Sequence, residues 1–159
     1  MSFYLLLKTL HLAAACIYLG VSVSNGYAKT RADRRRDPRA SALALDFVVG
    51  QNRVFLLPAS ALLLATGLAM AYVTGLPWMR GWLSGALILF AALSLLLGLA
   101  IRLEDRLLVL AEDAEREQST LPDAYWRLSR RWSALGGIAT LGILLMLATM
   151  VGRMSLIGG

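Results

Sequence analysis

The chain has 159 residues, of which 58% are hydrophobic and 16% are charged, and its mean hydropathy is +0.64. Soluble domains carry about 45–50% apolar residues, and a chain of this size has too little interior to hide a larger share from water. The composition excludes a disordered chain and argues against a single soluble domain. A lipid bilayer suits it, because four segments of about 20 residues would each cross the hydrocarbon layer.

Four apolar segments predict an all-α membrane protein of one domain, residues 1–159, with four antiparallel transmembrane helices in an up-down bundle. Lys8 is the only charged residue between Met1 and Val23. Three further stretches carry no charge at all: residues 54–79, 81–101 and 132–152. The predicted spans are about 3–24, 54–74, 81–102 and 133–153. The first segment lacks the basic start and the cleavage site of a signal peptide, so we expect it to remain as a span.

The two long segments between spans, about residues 25–53 and 103–132, are predicted to be helical extensions into the cytoplasm. Asp37-Pro38 is typical of a helix N-cap followed by proline, and the second helix should run from there to about Val73. It should kink near Pro58, where a backbone hydrogen bond is lost. The third helix should begin near residues 76–78 and continue to about Glu117. One face of its extension is apolar, comprising Leu103, Leu107, Leu110 and Ala114. The fourth should run from residues 120–123 to about Met154.

The basic residues predict the orientation, because short loops rich in Lys and Arg stay in the cytoplasm. Of the 16, seven lie between spans one and two and six between spans three and four, leaving Lys8, Arg80 and Arg153 at the opposite face. Both termini should therefore be periplasmic in a bacterial inner membrane. The net charge of +6 then reflects topology and anionic headgroups rather than nucleic acid, because the basic residues lack interleaved aromatics.

The first helix carries a stripe of mostly polar residues inside a span. Steps of three and four residues place on one face Tyr4, Lys8, His11, Ala15, Tyr18, Ser22 and Asn25. An ionisable group is costly to leave in lipid, so we expect the stripe to face the bundle interior. For Lys8, Tyr4 and Tyr18 the alternative is that the lysine snorkels to the interface and the tyrosines anchor there.

His11 is the central residue of this stripe and the only histidine in the chain. It could form a structural hydrogen bond to a neighbouring helix, or act as a proton carrier, a copper ligand or an axial ligand of haem b. A haem held by two histidines of the same chain is excluded, because the chain has a single histidine. A second axial ligand would be methionine, lysine, tyrosine, water, or His11 of another subunit in a homo-oligomer.

The outer part of the second helix, Thr66 to Tyr72, should lie at the depth of Lys8 and His11 if neighbouring helices are antiparallel. The candidate cofactor-binding residues are therefore His11 and Lys8 first, then Tyr4, Tyr18, Thr66 and Met70. Copper would also want soft partners, and the sequence offers Cys16, Met70, Met146, Met150 and Met154. A methionine stripe in a span is more often packing. No acidic residue lies inside a predicted span, and no phosphate loop or histidine–carboxylate cluster occurs.

Several short motifs in order resemble the bacterial family of predicted integral membrane proteins known as a domain of unknown function (DUF 2269). They are Tyr4 to Lys8 with His11, Tyr18-Leu-Gly20, Arg53 with Pro58, Thr66-Gly67, Trp78 with Gly81-Trp82, and the run from Leu121 to Trp132. The match covers nearly the whole chain. The resemblance implies a four-span inner-membrane protein without an established activity.

A more distant resemblance is to the HemJ-type membrane protoporphyrinogen oxidase. The matching residues are Lys8 and His11, then Arg53, Pro58 and Thr66 to Met70, then Gly81-Trp82-Leu83. This chain has Ser84-Gly85-Ala86-Leu87 where that family carries a lysine. The resemblance implies haem or porphyrin binding at His11.

Two classes of function therefore stay open. The first is a non-enzymatic accessory or binding protein of the membrane, with the stripe setting packing or holding a ligand. The second is a haem- or porphyrin-binding redox protein with His11 as ligand, which as an enzyme would be a porphyrin-linked oxidoreductase. The soluble partner, the substrate and the oligomeric state are not specified by the sequence.

Overall fold

The structure, a computed structural model, describes residues 3–76 and 82–152. Its helices are α1 (Phe3–Arg35), α2 (Pro38–Gln51), α3 (Leu57–Val73), α4 (Trp82–Arg116) and α5 (Asp123–Gly152). A π-helical stretch, Asn52–Leu56, joins α2 to α3 and is called the π segment below. With α2 and α3 taken as one rod, four helices of the described chain are long and apolar enough to cross a membrane. The predicted all-α membrane fold is confirmed.

The helix ends follow from local sequence. The Asp37 carboxylate accepts a hydrogen bond from the Arg39 backbone N–H at 3.1 Å, and Pro38 occupies the first turn, as predicted. α5 begins at Asp123, whose negative charge suits the positive end of the helix dipole. The predicted start of the third helix falls partly on residues 77–81, and the predicted end of the fourth on Met154, both outside the described residues.

The second rod departs from α-helical geometry just before the predicted position. The departure is the π segment, which ends two residues before Pro58, and there the Leu57 N–H donates to the Asn52 carbonyl five residues back. Proline has no N–H, and in a regular α-helix its ring would collide with the carbonyl of Val54. The π turn thus includes the residue whose carbonyl a regular α-helix would place against the proline ring.

Contacts between helices pair residues whose numbers run in opposite senses. His11 of α1 contacts Thr66 of α3, whereas Asn25 of α1 contacts Asn52 of the π segment. Along the other pair, Trp132 of α5 contacts Glu104 of α4, and a side chain added at Gly142 would meet Leu93. Such pairing is expected of antiparallel neighbours.

The apolar core is concentrated in the extensions beyond the predicted spans. One cluster joins α2, α4 and α5, and its fully buried members include Leu45, Val48, Leu107 and Tyr125. The predicted apolar face of the third helix is confirmed, since its four residues lie in or against this cluster. In the spans, by contrast, large apolar side chains such as Leu95 and Leu141 are exposed, as suits contact with lipid.

Candidate functional site

His11 on α1 forms a hydrogen bond with Thr66 on α3. The distance from His11 Nδ1 to Thr66 Oγ1 is 2.8 Å, and Thr66 Oγ1 in turn donates to the Leu62 carbonyl at 2.6 Å. A hydroxyl has one proton, so Thr66 accepts from the His11 Nδ1–H. The ring nitrogen that keeps a lone pair is then Nε2, and it can accept a hydrogen bond or bind a metal.

The imidazole lies against the backbone of α3 and is half-buried. A Cβ built at Gly67 would be 3.4 Å from His11 Cε1, at the short limit of van der Waals contact. The ring therefore lies directly beside Gly67. The prediction that Thr66 lies at the depth of His11 is confirmed.

The other predicted site residues take different positions. Tyr4, Tyr18 and Met70 are half-buried, but Lys8 is exposed on the surface of α1. The expectation that the whole stripe faces the bundle interior is therefore wrong for Lys8. The exposure of Lys8 agrees with the snorkelling alternative.

The structure describes the side chains of three of the five predicted copper partners. Cys16 is exposed, and Met70 and Met146 are half-buried. The side chain of Met150 and the residue Met154 lie outside the described part of the chain. Among the described residues, no three His, Cys, Asp or Glu side chains come together closely enough to hold a metal ion.

A second polar constellation, not anticipated as a site, links all four rods near the start of the extensions. Trp132 Nε1 donates to Glu104 Oε1 at 2.7 Å, and Asn52 Nδ2 donates to Glu104 Oε2 at 2.6 Å. Asn25 Nδ2 donates to Asn52 Oδ1 at 2.8 Å. All four residues are buried. We call these four residues the amide–carboxylate chain.

When Glu104 is ionised, both of its carboxylate oxygens accept hydrogen bonds, one from the Trp132 indole N–H and one from the Asn52 amide nitrogen. In this arrangement the Asn52 carbonyl accepts from the Asn25 amide nitrogen. Asn25 Oδ1 is then the open end of the chain. This atom is buried, and it has no hydrogen-bond partner among the described residues.

Burial of Glu104 raises the pKa of its carboxyl group. The hydrogen bonds from Trp132 and Asn52 oppose this effect, because they favour the charged form. Asp105 raises the pKa further and Lys29 lowers it, both through charge. Burial has the larger effect, so the protonated form of Glu104 is favoured compared with an exposed glutamate.

Lys29 lies next to this chain in a second cluster. Its side chain is 1% exposed, and Nζ donates to Asp33 Oδ2 at 2.6 Å and to Ser129 Oγ at 2.7 Å. Tyr125 OH donates to Asp33 Oδ1 at 2.6 Å. The Lys29 ammonium also lies 5.1 Å from the centre of the Trp132 ring, within cation–π range. Burial lowers the pKa of Lys29, whereas Asp33 opposes that shift.

The sequence contains a signal for both the amide–carboxylate chain and the Lys29 cluster, although none of their residues is among the predicted site residues. Asn25, Lys29 and Asp33 follow one another at intervals of four residues, so they continue the stripe of α1 beyond its predicted span. From the sequence, Lys29 is recognised only as one of the basic residues between spans one and two that predict the orientation. Glu104 lies two residues beyond the third predicted span, where a charge is not unusual.

A cleft opens between α1, α4 and α5 beside the amide–carboxylate chain. Its volume is about 270 Å³, and Asn25, Asn52, Glu104 and Trp132 are among the residues that line it. Tyr18, a predicted site residue, also lines it. His11 is not among the lining residues. The protein therefore has two separate polar regions, one at His11 and one at this cleft.

Four apolar rods joined by polar contacts across the bundle define a polytopic integral membrane protein. The chain belongs to the family of predicted integral membrane proteins designated DUF2269, whose model matches residues 5–154. No curated protein and no solved structure matches the chain significantly. The family assignment from the sequence motifs is confirmed, whereas the resemblance to the HemJ-type oxidase finds no support in these comparisons.

Proposed function

We propose that the protein is a non-enzymatic binding or accessory protein of the bacterial inner membrane, and that it holds a ligand at His11. The observation that carries this proposal is the hydrogen-bond chain from His11 through Thr66 to the Leu62 carbonyl. An ionisable side chain inside a span is costly and indicates a functional site by default. The hydrogen bonds through Thr66 hold the imidazole ring at Nδ1 and leave Nε2 as an oriented acceptor.

Native mass spectrometry of the protein in mild detergent tests this proposal. We expect a bound small molecule on the wild type and on the control Thr9→Val, whose hydroxyl bonds only its own helix. The bound mass should be lost in His11→Ala and weakened in Thr66→Val, because the ring then loses its anchor. Retention of the bound mass in His11→Ala, or no bound mass on the wild type, would overturn the proposal.

The second candidate is a haem- or porphyrin-binding redox protein. The observation that favours it is the Nδ1 anchor itself, because metal-binding histidines commonly donate one ring N–H to an acceptor and bind the metal through the other nitrogen. His11 Nε2 would be the axial ligand of haem b. Since no second histidine is present, His11 of another subunit in a homo-oligomer could complete the coordination.

The absorption spectrum of the purified protein separates the two candidates. A Soret band that is present in the wild type and absent in His11→Ala supports haem. A preparation that is colourless, and stays so after haem is added, overturns the redox candidate and leaves the binding role.

A further inference from the structure

We propose that a groove between α4 and α5 binds an anionic phospholipid, with Arg131 against the lipid phosphate and the start of an acyl chain along the apolar wall. The groove has a volume of about 360 Å³ and is lined by Leu99, Leu103, Arg131, Ala134 and Leu135. We call it the α4–α5 groove. Neither His11 nor a residue of the amide–carboxylate chain lines it, so this proposal does not depend on the function proposed above.

The α4–α5 groove lies at the predicted edge of the hydrocarbon layer. Leu99 and Leu103 lie on either side of the end of the uncharged stretch in α4, and Arg131 directly precedes the uncharged stretch in α5. The contact between Glu104 and Trp132 places these two points level with each other. Phospholipid headgroups lie at this boundary between hydrocarbon and water. The arginine is thus at the depth of the phosphate, and the leucines are at the depth of the first acyl carbons.

The charge at the groove favours an anion. Arg131 is exposed, and within the described part of the chain no ion pair includes it. Arg106 follows Leu99 by seven residues, about two helical turns, so it lies on the same face of α4. Arg127 precedes Arg131 by four residues, so these two share a face of α5. A phosphate at the groove would balance positive charge that the ion pairs of the described chain leave unmatched.

The wall of the groove suits an acyl chain. Four of its five lining residues are apolar, and Leu99 and Ala134 are exposed, so lipid reaches them from the side. The small side chain of Ala134 leaves room beside the neighbouring leucines. From Leu99 to Leu103 the helix rises about 6 Å, a length that accommodates the glycerol backbone and the first methylene groups. The rest of each chain would stay in the bilayer.

The net charge of the headgroup should decide which lipid binds. Arginine forms paired hydrogen bonds with phosphate oxygens, and basic pockets between transmembrane helices bind anionic headgroups. A zwitterionic headgroup also has a phosphate, but its own ammonium group balances that charge. Each basic residue near the membrane surface raises the affinity for anionic lipid by about fivefold. The α4–α5 groove should therefore prefer an anionic lipid to a zwitterionic lipid with the same chains.

Native mass spectrometry of the delipidated protein in a neutral detergent tests this proposal. The probes are phosphatidylglycerol and phosphatidylethanolamine with identical acyl chains, so they differ only in the headgroup. For the wild type, we expect the first phosphatidylglycerol to bind about fivefold more tightly than the first phosphatidylethanolamine. Glycerol phosphate, which has a phosphate but no chains, should not compete, because the apolar wall contributes to binding.

Two neighbouring arginines supply a matched control for the charge. Arg131 lines the groove, whereas Arg130 is also exposed but is not a lining residue. We expect Arg131→Gln to weaken binding of the first phosphatidylglycerol by about fivefold. Arg130→Gln removes the same charge and should leave this binding unchanged. Arg131→Lys keeps the charge and should bind the lipid more tightly than Arg131→Gln does.

Two alanines supply a matched control for the apolar wall. Ala134 lines the groove, and Ala91 is exposed elsewhere on α4. The larger side chain in Ala134→Phe should fill the groove and abolish the preference for phosphatidylglycerol, although no charge changes. Ala91→Phe should leave that preference unchanged.

Three outcomes would overturn the proposal. They are equal affinity of the wild type for the two lipids, equal losses in Arg131→Gln and Arg130→Gln, and an unchanged preference in Ala134→Phe. Competition by glycerol phosphate would likewise overturn it and would reduce the groove to a phosphate site. A lipid-free dimer that disappears in Ala134→Phe would also overturn it, because the groove would then be a subunit interface. Melting temperatures of the variants in detergent establish that each is folded.

Discussion

Lys29 shows how this protein keeps a charged side chain out of water. The ammonium group has a carboxylate, a hydroxyl and two aromatic rings around it, supplied by α1 and α5. Each contact offsets part of the cost of removing the charge from water. Asp33 is matched in the same way, because Tyr125 and Ser129 both donate to it. The two charges therefore depend on each other.

We expect Lys29→Met to destabilise the protein by about 2–3 kcal/mol, because Asp33 keeps its charge and loses its cation. The control is Lys8→Met, which changes an exposed lysine and should cost less than about 0.5 kcal/mol. Thermal unfolding in detergent, followed by size-exclusion chromatography, measures both. Equal melting temperatures for the two variants would contradict the role of the Lys29 cluster.

Glu104 should make stability depend on pH. Burial raises its folded pKa above the usual value of 4.5, so between the unfolded and the folded pKa the folded protein binds this proton more often than the unfolded chain does. The stability contributed by this proton is complete below pH 4.5 and is lost as pH rises through the folded pKa. From pH 4.5 towards neutral, the wild type should therefore lose stability relative to Glu104→Gln. Parallel melting curves for the two proteins across this range would contradict the expected shift.

Local sequence predicts some features of the two polar regions and not others. The shared depth of His11 and Thr66 followed from span lengths and from antiparallel order. The hydrogen bonds of Asn52 and Glu104 could not be predicted, because they depend on how each rod is rotated about its axis. Apolar spans that face lipid on most sides carry little information about that rotation.

At the scale of elements, the π segment is the main departure from a regular rod. A π turn holds one more residue per hydrogen-bonded ring than an α turn, so it acts as a local insertion. Proline alone predicted a kink, and the structure places the irregularity in the turn before it. The capped helix starts at Pro38 and Asp123 were predictable because their signals involve only neighbouring residues.

Deleting one residue from the π segment should be better tolerated than deleting one from α3. Removal of Val54, which is exposed, would convert the π turn towards a regular α turn and keep the flanking helices in register. Removal of Leu62, which is also apolar and exposed, would rotate Thr66 away from His11 by about 100°. We expect a folded, monodisperse protein only from the first deletion. Size-exclusion profiles distinguish them, and loss of folding in the Val54 deletion alone would contradict this interpretation.

At the scale of the whole molecule, tight packing and membrane contact are divided between the two ends of the bundle. The extensions contain the main buried cluster, as a small soluble helical domain would. The spans keep large apolar side chains on their surface, where lipid can cover them. Composition predicted a membrane protein but could not show that much of the core lies beyond the spans.

The orientation of the molecule gives a prediction at this scale. Thirteen of the 16 Lys and Arg residues lie in or beside the two extensions, which should therefore be cytoplasmic. A reporter that is active only in the periplasm should be active when fused after Gly159, and inactive when fused after Gln118 in the loop between α4 and α5. The reverse pattern would place the extensions outside the cell.

The amide–carboxylate chain and the Lys29 cluster also bear on how the protein folds during its synthesis. Trp132 and Ser129 lie on α5, which the ribosome makes after α1 to α4. Until α5 inserts, Glu104 lacks its indole donor and Lys29 lacks its hydroxyl acceptor. The hydrogen bonding of both charged groups is therefore completed only when α5 packs against α1 and α4.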